Sequence, residues 1–316
     1  MTDALAIPAA GSLQAVNTDR LAAAIDASLA PATRTAYRAH AERCGAYLAE
    51  RRLPLADEAI ADYLAHRADQ GDAPATLKQA YSAIGAVATA QGFPDPRGPV
   101  TRRALQGLVR AGRHRGRGPA AGIRRASLEA AAALAAGAGS PFGLRDAAIL
   151  RLGSDCLLRV SEIAAVQVAD LAADDDGSGR LRIGASKTDQ DGRGVTLYVC
   201  AETMRTVRAW QAASGIDSGP LFRRLSRAGN VIGDRPLTAA SIRCIVRQRG
   251  EAAGIAGRLS GHSLRVGSAQ SLVRRGADLP ALMQAGRWRD AATAAGYAAG
   301  ELAGRGAVAR FFGGAD

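Results

Sequence analysis

Four short stretches of the chain carry side chains suited to holding an anion and moving a proton. Leu157-Leu158-Arg159-Val160-Ser161-Glu162 sets an arginine in an apolar run, with a carboxylate three residues on. At a helix start, positions i and i+3 share a face, so Glu162 can hold the Arg159 guanidinium in place. A partly buried structural ion pair is the plain alternative. Ala185-Ser186-Lys187-Thr188 puts a lysine at the edge of an expected hairpin, where a flexible turn can swing it into a site built elsewhere. Gly261-His262-Ser263-Leu264-Arg265 places imidazole and guanidinium on one face near a helix N-terminus, where the dipole also favours negative charge. The bare H-x-x-R spacing carries no weight by itself, because it recurs at His40/Arg43 and His114/Arg117 among only four histidines. Finally, Gly286-Arg287-Trp288 precedes Tyr297. Tyr37, Tyr47, Tyr63 and Tyr81 fall on helical stripes and Tyr198 in a strand. Tyr297 lies among Ala and Gly, which give a core aromatic little to pack on.

The cations are telling. Of 41 basic residues only Lys78 and Lys187 are lysines. Against such an arginine bias, a surviving lysine is a candidate for work that arginine cannot do, because an ammonium can surrender its proton. For Lys78 chance survival is the preferred reading. The net charge of +12 and pI near 10.5 point to a polyanionic partner, most often nucleic acid, with plain solubility as the alternative. Cys44, Cys156, Cys200 and Cys244 are scattered without a C-x-x-C pair, which argues against a disulfide framework or zinc site and for a reducing cytosol. The sequence shows no apolar run of about 18 residues and no basic, then apolar, leader at Met1. The expected location is therefore cytoplasmic, with the nucleoid. No Walker A motif, complete G-x-G-x-x-G or G-x-S-x-G is present.

These residues need a scaffold, and the pattern supplies one in two parts. Residues 1–18 read as a loose arm. Residues 19–112 read as a domain of four or five short helices, with apolar stripes over Thr33–Arg52, Asp57–Arg67, Pro74–Ala90 and Val100–Val109. Asp57 is the expected N-cap of the second of these. Nine arginines and no acid lie between Arg97 and Arg125, and residues 113–126 read as a basic linker able to lie along a phosphate backbone. A second domain, 127–316, starts with helices to about Val168. A turn at Asp174-Asp175-Asp176-Gly177 and strands at Leu181–Ile183 and Val195–Val199 follow. Helices are expected at Glu202–Ala213, Thr238–Ala253, His262–Arg275, Leu279–Ala285 and Ala291–Tyr297. A short amphipathic tail closes the chain at Arg305–Phe312. The fold class is mainly α with a small β-hairpin or sheet, in two domains.

In chain order, the L-L-R-x-x-E run, the hairpin lysine, H-x-x-R, the tryptophan and the tyrosine resemble the signature of the tyrosine recombinases, or phage integrase family. The stretches Gly261–Gly267 and Met283–Trp288 are similar to its Cre-like subgroup, which has Trp where most members have His. The first domain resembles, more loosely, the family's SAM-like core-binding domain.

The resemblance implies a site-specific DNA recombinase, a two-domain DNA clamp pairing the helical core-binding domain with a catalytic domain. Tyr297 would attack a phosphodiester to form a 3′-phosphotyrosyl link, and Arg159 and Arg265 would clamp the nonbridging oxygens in a fork that lysine cannot reproduce. Trp288 would donate its indole N–H to the phosphate. His262 would assist removal of the phenolic proton, Lys187 would protonate the departing 5′ oxygen, and Glu162 would orient Arg159. The bond energy stays in the covalent link, so neither cofactor, metal nor ATP is expected. The implied partners are double-stranded DNA and further copies of the chain, a homotetramer on DNA that passes through a Holliday junction. In solution a monomer or dimer is compatible. Arg102, Arg103, Arg110, Arg113, Arg115, Arg117 and Lys78 are the candidate DNA contacts, and Val308, Phe311 and Phe312 the candidate intersubunit contacts. Two alternatives share part of this pattern: a type IB topoisomerase, and a DNA-binding regulator of recombinase ancestry that does not cleave.

Overall fold

The computed structural model describes residues 28–137, 139–184 and 194–304, together with Gly306 and Phe312. The arm at 1–18, Lys187, Val308 and Phe311 lie outside them. The chain divides into two compact units, 1–118 and 119–316. The division falls within the expected linker.

In the first unit, four described helices run Pro31–Arg51 (α1), Asp57–Asp69 (α2), Pro74–Ala90 (α3) and Pro99–Ala111 (α4). Proline in the first turn of α1, α3 and α4 suits a position whose N–H has no helical acceptor. The predicted stripes meet as a core of Cys44, Tyr47, Leu48, Ile60, Tyr63, Leu64 and Ile84, with Leu105 and Leu108 packed against it. Asp57 is not the N-cap of α2, a position held by Ala56. Its carboxylate instead accepts the amides of Gly98, Val100 and Thr101 and so caps α4 from outside. Desolvation works against the charged carboxylate, yet hydrogen bonds from Thr101, Val100 and Gly98 prevail and hold its pKa down to about 2.

The second unit is built on Pro141–Asp155 (α6), buried along most of its length. It is preceded by Arg125–Ala136 (α5) and followed by the short Val160–Ala165 (α7). The expected helical run to Val168 therefore ends early, and a 3-10 turn at Val168–Asp170 leads into a strand, Leu171–Ala173 (β1). With Gly179–Ile183 (β2) and Val195–Val199 (β3) it forms an antiparallel sheet of order β1-β2-β3, in register Leu171↔Leu181 and Leu181↔Leu197. Gly179, Leu181 and Ile183 face the core and Arg180 and Arg182 face out, the alternation of a half-buried strand. Helix Ala201–Ser214 (α8) leads to a second hairpin, Arg223–Leu225 (β4) with Val231–Pro236 (β5), which the sequence reading did not anticipate. Its exposed face and three-residue first strand leave almost no period to read.

Helices Ala239–Ala252 (α9), Ser263–Arg274 (α10), Leu279–Gly286 (α11), Ala291–Tyr297 (α12) and Ala299–Ala303 (α13) complete the unit. Thr238, Asp278 and Asp290 cap α9, α11 and α12 with side-chain oxygens. One core joins Leu128, Ile149, Leu150, Leu152, Trp210, Phe222, Ile242 and Leu264. A smaller cluster of Leu157, Ala269, Val273, Leu282, Trp288, Ala294 and Ala298 holds the C-terminal helices.

The second unit starts earlier than the expected Ser127. Ala121 N–H donates to the Arg258 carbonyl at 3.0 Å, Ile123 N–H donates to the Ser263 carbonyl at 2.8 Å, and Ile123 is fully buried. An added Cβ at Gly267 would stand 1.9 Å from the Ile123 carbonyl oxygen. Only glycine lets this segment lie against α10, two residues past Arg265.

Candidate active site

The site grows out of the turn between α6 and α7. Leu157 takes a left-handed backbone, φ 46°, which is unusual for a branched residue. Its carbonyl thereby meets two guanidiniums: Arg265 Nη1 donates to it at 2.5 Å and Arg287 Nη2 at 3.2 Å. Arg159 caps α7. Glu162, in the first turn of α7, accepts the Arg159 backbone N–H at 2.9 Å and Arg159 Nη1 at 2.7 Å. The i, i+3 pair foreseen from spacing is thus present, and a second cation joins it. Arg287 Nη2 lies 2.7 Å from the other Glu162 oxygen. The sequence reading quoted Arg287 but gave it no role.

His262 and Arg265 come from the start of α10. His262 is the N-cap residue, one position before the helix begins. Gly261 sits where a Cβ would meet the Val160 side chain at 2.5 Å, so the loop closes directly on the first turn of α7. His262 is exposed, and its pKa falls below the ordinary 6.5. Loss of hydration lowers it first, then the charges of Arg265, Arg159 and Arg243. The imidazole is therefore neutral at pH 7 and able to accept a proton.

Arg265 is 1% exposed and has no carboxylate partner among the described residues. It donates to the Leu157 and Gly286 carbonyls, and its guanidinium lies 4.5 Å from the Trp288 ring centre and 5.9 Å from that of Tyr297. Burial, then the charges of Arg159 and Arg287, pull its pKa down to about 10, still protonated at pH 7. Trp288 and Tyr297 stack at 4.8 Å. An added Cβ at Gly286 would fall 1.9 Å from the Trp288 ring, so glycine here admits the indole.

Tyr297 was expected to find little to pack on among its Ala and Gly neighbours. It is instead half-buried within its own chain, against the cluster around Trp288. The structure thus brings together Arg159, Glu162, His262, Arg265, Trp288 and Tyr297. The Lys187 expectation lies outside the described residues. Phe312, expected in a subunit contact, is 82% exposed.

The candidate DNA contacts lie in the first unit. Arg102, Arg103 and Arg110 stand exposed along α4, and Arg113, Arg115 and Arg117 follow it. Arg115 also donates to the Ala68 carbonyl at 2.5 Å. Lys78 is exposed on α3. The rest of the arginine-rich stretch is already engaged: Arg97 with Asp95, Arg124 with Glu301, and Arg125 with Asp155 and Glu129.

Several guanidiniums, an imidazole, an indole and a phenol are gathered here, an arrangement chemically able to hold an anion beside a phenol. Residues 126–302 match the phage integrase family. The chain belongs to this family. These tyrosine site-specific recombinases include two curated relatives that resemble the chain over most of its length. "Recombinase cre" of Escherichia phage P1 is 28% identical over 254 residues, spanning 75% of this chain and 74% of that one. The "Integrase/recombinase xerD homolog" of Selenomonas ruminantium is 30% identical over 251 residues, spanning 73% and 70%. Among solved structures, XerH recombinase in a post-cleavage complex with its palindromic difH substrate superposes with a TM-score of 0.61. That match has 14% identity and covers 82% of this chain and 73% of that one. A lambda integrase dimer bound to a COC′ core site gives 0.58 at 18% identity, covering 89% and 75%. These structural likenesses establish the recombinase fold.

Proposed function

We propose that this chain cuts and rejoins duplex DNA at a specific site through a covalent bond to Tyr297. The observation that carries the reading is the packing of Tyr297 and Trp288 beside a buried Arg265 that has no carboxylate partner among the described residues. A guanidinium without a counter-charge is costly to bury and favours an anion beside it. A phosphodiester offers that charge together with an electrophilic phosphorus.

The Tyr297 phenol oxygen forms a bond to phosphorus and gives up its proton, with neutral His262 as the acceptor. The P–O5′ bond breaks, and the 5′ oxygen takes a proton from Lys187. Arg159 and Arg265 neutralise the nonbridging oxygens, where charge builds as the bonds exchange. Trp288 has one indole N–H to add. One diester replaces another, so the step stores its energy and runs backwards when a 5′ hydroxyl from a partner strand attacks. The family resemblance extends the reading to strand exchange through a Holliday junction in a homotetramer. The exposed arginines along α4 and beyond it supply a cationic stripe for phosphates.

The test is a nicked duplex built on the sequence that the protein selects from a random pool. A covalent adduct that forms with the wild type and vanishes in Tyr297→Phe supports the enzyme. Selective binding with no adduct at any salt concentration supports a non-cleaving regulator. Rapid relaxation of any supercoiled plasmid, without a selected site, supports a topoisomerase.

A further inference from the structure

Arg287 stands at the end of α11 with φ 54° and ψ 42°, a conformation that glycine adopts freely and a long side chain only at a cost. Its amide closes the helix by donating to the Gln284 carbonyl at 3.1 Å. Glycine would do that capping at least as well, so the guanidinium is what the position gains.

That guanidinium is nine-tenths buried and makes one ion pair, to the Glu162 oxygen that also accepts the Arg159 amide. Its Nε and Nη1 are buried and have no acceptor among the described residues. One carboxylate, Glu162, therefore serves two guanidiniums, Arg159 and Arg287, while Arg265 beside them has none. The three cations against one anion leave an excess of two positive charges in a largely buried pocket. Arg287 also helps lower the Arg265 pKa, which places its charge within electrostatic reach of the proposed phosphate clamp.

We propose that Arg287 is a positioning residue for phosphate binding by this site. It fixes Glu162, and through it Arg159. It also adds a third positive charge to a cluster whose one described carboxylate, Glu162, cannot offset all three. This rests on the recombinase reading above. The proposed phosphate ligands remain Arg159 and Arg265; Arg287 acts on them from behind the carboxylate.

The experiment compares wild type, Arg287→Gly and Arg287→Lys on the nicked selected duplex. One version carries an ordinary scissile phosphate and the other a methylphosphonate, which lacks one negative charge at that phosphorus. Arg287→Gly relieves the backbone, so it should fold and bind DNA with affinity within about twofold of wild type, while adduct formation slows by about tenfold or more, as for loss of a group that orients another ligand. On the methylphosphonate the gap between variant and wild type should narrow, because less charge has to be neutralised. Arg287→Lys should fall between the two, since an ammonium keeps the charge but its side chain is one bond shorter and does not set that charge where Nη2 meets Glu162 and the Leu157 carbonyl. Equal adduct rates in all three proteins would overturn the proposal while leaving the recombinase reading intact. So would a deficit of the same size on both substrates, the mark of a purely structural role. If Arg287→Gly fails to fold, Arg287→Lys on the two substrates decides. A wild type that forms no adduct at all would instead sink the recombinase reading.

Discussion

Glu162→Gln strips the charge from the carboxylate that joins Arg159 to Arg287 and keeps its size. The carboxylate side chain is 8% exposed and accepts three donors within 2.9 Å. An amide offers one oxygen in place of two and turns its NH2 toward a guanidinium, donor against donor. Removing one member of a buried ion pair costs about 3–5 kcal/mol. The Arg159 side chain is 22% exposed, so water relieves part of that and the lower end applies. About 3 kcal/mol in a unit of this size corresponds to about 6–12 °C in the unfolding midpoint. Differential scanning calorimetry reads the midpoint, and adduct formation on the nicked duplex reads the chemistry, which should slow along with it. The shift should persist at 0.5 M salt, because buried pairs are poorly screened. A midpoint within about 2 °C of wild type would show that the carboxylate is not the counter-charge holding this cluster together.

Three further outcomes are expected. The pKa of His262 lies below 6.5, lowered by desolvation and then by Arg265, Arg159 and Arg243, and the proposed mechanism uses its neutral form as the proton acceptor. The adduct-forming rate should therefore hold from pH 8 down past 6.5 and fall only at more acid pH, in rapid-quench measurements; a midpoint at or above 6.5 contradicts the assignment. Replacing Arg103, Arg110 and Arg113 with glutamine should reduce the slope of log K against log salt by about 2.7, at 0.9 per lost phosphate contact. Fluorescence anisotropy across a salt series measures it, and an unchanged slope removes these residues from the interface. Gly267→Ala would drive a methyl into the Ile123 backbone and should cost at least about 3 kcal/mol, because neither α10 nor the 121–123 segment is a flexible side-chain end that can yield. Urea unfolding checks this.

What could be read from the sequence was what repeats along it. The helical stripes around Tyr47, Tyr63 and Ile84 converge on one core because their spacing follows the helix period. Arg159 and Glu162 found each other for the same reason. The order of motif residues sufficed to gather Arg265 and Tyr297 from two helices and Trp288 from the loop between α11 and α12. Features set by distant contacts left no periodic trace. Asp57 looked like a cap for its own helix but caps α4, since what draws it is a set of amides 41 to 44 residues away. Arg287 gave no signal because its importance depends on a left-handed backbone and on Glu162, neither visible at a single position. The hairpin Arg223–Leu225 with Val231–Pro236 was too short and too exposed to show alternation. The chain from Ala121 to Ile123 looked like linker because its glycine and alanine suggest no element, whereas the glycine is what allows close packing against Gly267.

The way Tyr297 is held bears on when it can react. Helix α12 is seven residues of Ala, Thr, Gly and Tyr, and only Ala294 within it is fully covered. Alanine methyls bury little area, so at about 25 cal/mol per Å2 the helix gains little from packing apart from the Tyr297 ring on Trp288. Its continuation, α13, is tied down by Glu301, whose oxygens meet Arg124 at 2.8 Å and Arg274 at 2.7 Å. Both arginines are more than 40% exposed at the side chain, and such pairs are worth about 0–1 kcal/mol each. Tyr297 is thus held by its contacts with Trp288 and Arg265, by the small cluster around Ala294 and Ala298, by the Asp290 cap and by two weak ion pairs through α13, while Arg265 is locked by backbone carbonyls and full burial. In the proposed reaction a phosphate entering between them would compete for Arg265, and the phenol would yield before the guanidinium. Arg124 belongs to the same arginine-rich stretch as the exposed cations of α4, so a duplex backbone that captures it takes a partner from Glu301. Glu301→Gln should then weaken protection of the α12 and α13 amides in hydrogen exchange without DNA, and bound duplex should produce the same loss in wild type. Protection of these amides unaffected by both changes would mean that the C-terminal helices are held by something other than this ion-pair link.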